Sequence, residues 1–152
     1  MMPMAQQIQR MASRYPDFRI IADGGWSVIL EGELRPLAQR YRVRVMLVLK
    51  SRVGNMRVEV PSPRVWLVDP PLQLESKYAP GKAVPHIYRN FEDPIRSHLC
   101  LFDPAQKEWD WGMAIADTTL PWAIDWLVSY EGWLATGEWT GGGRDHRSPA
   151  AA

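Results

Sequence analysis

Cys100 is the sole cysteine of a 152-residue chain, and two of its three histidines, His86 and His98, precede it closely in sequence. A lone thiol cannot close an intramolecular disulfide, so Cys100 is either a small buried hydrophobe or a nucleophile. A nucleophilic thiol takes up an acyl group as a thioester, or hydrolyses an ester or peptide, and needs a lowered pKa or a base within reach. If the segment is extended, His98 shares a face with Cys100 and brings an imidazole beside the thiol, although an exposed strand histidine would read the same way. His86 suits either a catalytic imidazole or a loop residue that bonds backbone groups. Asp117 fits a helix cap better than a base, and Asp145 and His146 would reach the site only if the tail after Gly141-Gly142-Gly143 turned back over it.

Histidines at 86, 98 and 146 and one cysteine have none of the usual zinc-ligand spacings, so neither a metal nor another cofactor is expected. Gly141-Gly142-Gly143 links no strand to a helix and lacks the Lys-Ser/Thr of a phosphate loop, so it reads as a flexible link.

These residues must be positioned by the elements around them. An amphipathic helix is predicted from about Pro3 to Arg14, with Met4, Ile8 and Met11 on one stripe and Gln6, Gln7, Gln9 and Arg10 between them. Pro3 suits its first turn and Pro16 ends it. Strand-like runs follow at Trp26–Leu34, Tyr41–Lys50, Met56–Val60 and Arg64–Val68, broken by turn residues at Gly54-Asn55 and Pro61-Ser62-Pro63. Such short spacings favour an antiparallel meander. In the second run Tyr41, Val43, Val45, Leu47 and Leu49 share a face and Arg42 and Arg44 take the other. From Asp69 to about Pro94, five prolines and Gly81 argue for a long irregular connection ordered by packing. A last helix is predicted over about Thr119–Thr136, with Asp117, Thr118 or Thr119 as N-cap, Pro121 in the first turn and Gly137 at the C-terminal stop. It carries two apolar stripes, Leu120/Ile124/Leu127/Leu134 and Trp122/Trp126/Tyr130/Trp133. The aromatic stripe serves as core, as a docking face for a partner, or for self-association into a homo-oligomer.

Composition bounds the function classes. The length suits one domain, expected over residues 1–146 with a frayed tail at 147–152, and a hydrophobic content of 46 % is that of an ordinary globular chain. Eight tryptophans can supply much core area from few residues. A net charge of +1 gives no field that would favour nucleic acid, and the basic Arg35–Arg44 stretch alternates with apolar residues as a solvated strand face does. No apolar run is long enough for a membrane span and no leader is visible, so the expected compartment is the cytoplasm.

Helix, antiparallel strands, irregular cysteine-bearing segment and helix make an α+β pattern. This order resembles the ubiquitin-conjugating enzyme fold, with its N-terminal helix, four-stranded antiparallel meander, extended active-site segment and C-terminal helix. The words Pro85-His86-x-Tyr88, Leu99-Cys100-Leu101-Phe102-x-Pro104, Trp109, Leu120-Pro121-Trp122, Trp126-Leu127, Tyr130-Glu131-x-Trp133 and Gly137-x-Trp139 are similar to the prokaryotic ubiquitin-conjugating-like family of CBASS anti-phage operons. The resemblance implies that Cys100 forms a thioester with the C-terminus of a partner cGAS/DncV-like nucleotidyltransferase and promotes its conjugation. It sets His86 near the family histidine, with no Pro-Asn after it, makes Asn90 the nearest asparagine for an oxyanion role, and matches Trp109 to the tryptophan after the cysteine. Two other functions stay open. One is a catalytically inactive module of the same fold that docks on the nucleotidyltransferase and regulates it. The other is a cysteine hydrolase using Cys100 with His98 or His86, for which the nucleophile-elbow glycine pattern is missing.

Overall fold

A four-stranded antiparallel sheet, buried on one face, is the frame of the molecule. The computed structural model describes residues 1–49, 52–53, 56–57 and 63–141. Helix α1 (Met4–Arg14) comes first, with Pro3 at its N-cap, one position before the expected first turn. Strands β1 (Arg19–Asp23), β2 (Ser27–Leu34) and β3 (Tyr41–Val48) follow, then a small hairpin of β4 (Arg52–Val53) and β5 (Met56–Arg57), then β6 (Arg64–Asp69). The sheet order is β1-β2-β3-β6, and among the described residues β4 and β5 form a separate two-stranded pair.

The sheet therefore has the expected number of strands but a different membership. Arg19–Asp23 takes the place assigned to the Met56–Val60 run. The reason is burial: all five residues of β1 are exposed, so this edge strand has no inward-outward alternation to read. Of the Met56–Val60 run only Met56–Arg57 falls within the described residues; Gly54-Asn55, residues 58–62 and the tail from 142 onward, with Asp145 and His146, lie outside them.

Where alternation exists it is followed. Tyr41, Val43, Val45 and Leu47 are buried while Arg42 and Arg44 stay outside, where they pair with Glu31 and Glu33 on β2. Gly32 is required on the buried face, because a Cβ there would lie 2.4 Å from the Phe18 ring.

Helix α2 (Thr119–Thr136) has the predicted bounds and packs its aromatic stripe inward. Trp126, Tyr130 and Trp133 are buried, and the Tyr130 ring meets Tyr41 of β3 edge-on at 6.2 Å. The irregular chain from Pro70 to His86 is strapped to this helix. The Gln73 N–H donates to the Tyr130 hydroxyl at 2.8 Å, and the Ser76 hydroxyl donates to the Leu134 carbonyl at 3.1 Å. Gly137 ends α2 in the left-handed region, φ 79°, and a Cβ there would lie 2.4 Å from the Tyr78 carbonyl oxygen.

Helix α1 is fastened by a residue that reads as solvent-facing. Gln7 is buried, its amide nitrogen donating to the Met113 carbonyl at 2.8 Å and its oxygen accepting from the Ile115 N–H at 3.0 Å. Both ends of a buried amide are thus satisfied, as burial demands. Asp117 does not cap α2. The N-cap is Thr118, whose side chain makes no capping bond, and the Asp117 carboxylate is held between Arg14 and Arg10 of α1. The hydrogen bond from Arg14, with that from Arg10, keeps the Asp117 carboxyl below the usual carboxylate range.

Candidate functional site

Cys100 stands at the end of a two-residue-wide hairpin inside the proline-rich stretch. Strand β7 (Ile87–Tyr88) pairs antiparallel with β8 (His98–Leu99), Ile87 opposite Leu99 and Tyr88 opposite His98. Ile87 and Leu99 point into the core, which anchors the hairpin. The Cys100 N–H carries the pairing one step further by donating to the His86 carbonyl at 2.9 Å. That carbonyl also accepts from the Trp126 indole N–H of α2 at 2.8 Å. His86 itself has φ 55°, a left-handed conformation that histidine adopts more readily than most residues. One carbonyl thus ties the cysteine backbone to the long helix.

The half-buried Cys100 side chain opens into a cleft of about 330 Å³ shared with His86, Trp122, Asp125, Trp126 and Trp139. Trp139 forms one wall. Its ring lies 5.2 Å from the His86 ring and 5.2 Å, edge-on, from Trp126, which stacks on Tyr130 at 5.0 Å. Asp125 is the carboxylate of this lining, and it is exposed.

Of the residues singled out from the sequence, the structure brings His86 and Cys100 together. His98 reaches the cysteine through a third residue. Its ring stacks on Tyr88 at 4.6 Å and 19°, and meets Trp66 edge-on at 6.2 Å. Burial, with a contribution from the Arg64 charge, lowers the His98 pKa to about 4, so its imidazole is neutral around pH 7. Asn90 lines a different groove, of about 550 Å³, with Trp66, Arg44 and Arg96. Its side-chain oxygen accepts from the Glu92 and Asp93 N–H groups at 3.1 Å each, which closes the turn between β7 and β8. Trp109 is buried, donates to the Thr118 hydroxyl at 3.2 Å and lies 6.4 Å from the Phe102 ring, so it braces the chain after the cysteine.

Tyr88 and Asp125 went without a role in the sequence reading. The Tyr88 hydroxyl donates to the Phe102 carbonyl at 3.0 Å and is in side-chain hydrogen-bond contact with Cys100. Burial, with the negative charge that Cys100 can carry, pushes the phenol pKa well above its ordinary value. The signal for Tyr88 was its place opposite His98 across a hairpin, which is visible only once the register is known. Asp125 lies between Trp122 and Trp126 on α2, where helical spacing marks it as merely solvent-facing.

Among the described residues no group of histidine, cysteine and carboxylate side chains is arranged to hold a metal ion, and no helix is long and apolar enough to cross a membrane. A family model described as Type II CBASS E2 protein matches residues 7–147. No curated protein matches the chain.

Proposed function

The chain belongs to the type II CBASS E2 family, which gives it a role in CBASS defence, and on that premise we propose that it is a cysteine-dependent acyltransferase of ubiquitin-conjugating type. In this reading residues 1–146 form a single ubiquitin-conjugating-like domain working in the cytoplasm, where an unpaired cysteine stays reduced. Its acyl donor is the C-terminus of a cGAS/DncV-like nucleotidyltransferase. The Cys100 thiolate attacks the activated C-terminal carbonyl, a C–S bond forms, and the activating group leaves with its electron pair. An amine on the acceptor then attacks the thioester carbonyl, a C–N bond forms, and the C–S bond breaks to return the thiolate.

The observation that carries this reading is that Cys100 faces a cleft instead of the core, with a carboxylate and an imidazole in the same lining. An ammonium must lose a proton before it attacks, and Asp125 or His86 of the cleft lining accepts it in this scheme. Trp122 and Trp139 line the same cleft as Asp125, and aromatic rings suit a cation waiting there. Backbone N–H groups about Cys100, other than its own, which is bound to the His86 carbonyl, are the donors for the tetrahedral oxyanion in this scheme, since Asn90 lines a different groove from Cys100.

The test is a non-reducing gel of the purified protein incubated with its partner nucleotidyltransferase. A thiol-sensitive adduct is expected with the natural chain, a thiol-resistant ester with Cys100→Ser, and none with Cys100→Ala. Absence of any Cys100-dependent adduct, with binding to the partner retained, would instead establish the inactive docking module.

A further inference from the structure

Behind Cys100 lies an aromatic pair that the acyl-transfer scheme does not use, although one member contacts its sulfur. We propose that Tyr88 is a catalytic residue of the Cys100 reaction, its hydroxyl donating to the sulfur whenever the thiolate is present, and that His98 positions it by stacking. The inference rests on Cys100 being the nucleophile, but it is read out on the bare thiol.

A phenol has one hydrogen to give. With Cys100 protonated, that hydrogen goes to the Phe102 carbonyl at 3.0 Å, and a phenol oxygen is free in principle to accept from a thiol. Once the thiol has lost its proton to solvent, the sulfur can only accept. Rotation about the phenol C–O bond then re-aims the O–H from carbonyl to sulfur, with no covalent bond broken and the phenol proton retained. Burial keeps the phenol protonated through the physiological range, so the donor is always present. The same donor meets the sulfur when the C–S bond of the thioester breaks and the electron pair returns to it. Hydrogen bonds to a charged partner are the strong ones, so the contribution falls on the thiolate and not on the thiol.

His98 is the reason the hydroxyl stays in place. Its ring lies nearly parallel to Tyr88 at 4.6 Å and also meets Trp66 edge-on at 6.2 Å. Being neutral above about pH 4, it adds no positive charge to the thiolate and acts only through the ring it supports. The other ionisable groups about this centre are His86 and Asp125 in the cleft, Asp103 and Glu108, whose charges reach Tyr88, and Arg64, whose charge reaches His98. All five persist in the variants below, so differences report on the hydroxyl and its support.

Because Cys100 is the only cysteine, iodoacetamide alkylation of the full chain followed across pH reports on it alone. For Tyr88→Phe the midpoint of the rate–pH curve is expected to rise by about 1 pH unit. His98→Ala should move it the same way by less, and His98→Phe, which keeps a ring in the stack, should leave it near the natural value. Superimposed curves for the natural protein and a folded Tyr88→Phe would overturn the proposal. A shift for His98→Phe as large as that for His98→Ala would overturn the positioning role. Should Tyr88→Phe not fold, an ortho-fluorinated tyrosine at position 88, a stronger donor of similar volume, must lower the midpoint, and an unmoved midpoint counts against the idea. Loss of the thioester adduct with these shifts intact would remove the acyl-transfer reading and leave the Tyr88 assignment standing.

Discussion

A histidine that stays neutral because it is buried has a consequence for stability as well as for the thiol. The His98 pKa falls to about 4 in the folded chain, against about 6.5 when unfolded, so between those values the unfolded state binds more protons. The stability tied to this group is therefore full above about pH 6.5 and is lost as pH falls toward 4, by at most about 3 kcal/mol. Urea unfolding of the natural protein and of His98→Phe, compared from pH 7 down to pH 4, should show the natural protein losing stability faster. The carboxylates Glu31 and Asp117, both held low by arginines, are common to the two proteins and cancel in the difference. A gap that does not change with pH would mean that His98 is not protonated on unfolding. At this scale Cys100 and His86 were legible in the sequence because their types announce chemistry. Tyr88 was not, because a tyrosine in a two-residue strand looks like any half-buried aromatic until its hydroxyl is placed.

The elements were legible where burial alternates and illegible where it does not. Helix α2 was read to its ends because an N-terminal proline, two apolar stripes and a terminal glycine all agree. Strand β3 was read from its Arg42/Arg44 face, and β1 was missed because every one of its residues is exposed. Gly32 gives this level its sharpest test. It sits mid-strand, where glycine is a poor choice, and the Phe18 ring fills the space its side chain would take. Gly32→Ala should cost about 2 kcal/mol in urea unfolding, and Phe18→Leu in the same chain should recover part of it. Equal losses in the two backgrounds would show that the ring is not the obstacle. Gln7 makes a second case, since a polar residue among the glutamines between the stripe positions looks solvent-facing. Its two hydrogen bonds to Met113 and Ile115 hold α1 to the chain that enters α2. Gln7→Leu fills similar space but leaves a buried carbonyl and a buried N–H unpaired, and should cost about 3 kcal/mol. A near-neutral result would mean that water replaces the amide at both groups.

At the scale of the molecule, the site is assembled from segments far apart in the chain, which is why its shape could not be read from spacing. Cys100 comes from the hairpin, Asp125 from the middle of α2, and Trp139 from the chain that leaves that helix. Trp139 is held against His86 and Trp126, and Gly141 beyond it is so close to α2 that a Cβ there would lie 2.1 Å from the Ser129 hydroxyl oxygen. The indole N–H of Trp139 is buried with no hydrogen-bond partner among the described residues. What the ring does is wall the cleft, and the wall should govern what reaches the sulfur. Trp139→Ala should raise the rate of Cys100 labelling by a bulky maleimide several-fold while changing the rate with small iodoacetamide much less. Trp139→Phe keeps an aromatic wall and removes the unpaired donor, so it should label like the natural protein at no loss of stability. If both reagents speed up equally in Trp139→Ala, the tryptophan acts on the reactivity of the thiol and not on access to it. An unchanged maleimide rate would mean that the acyl donor reaches Cys100 from the side away from α2.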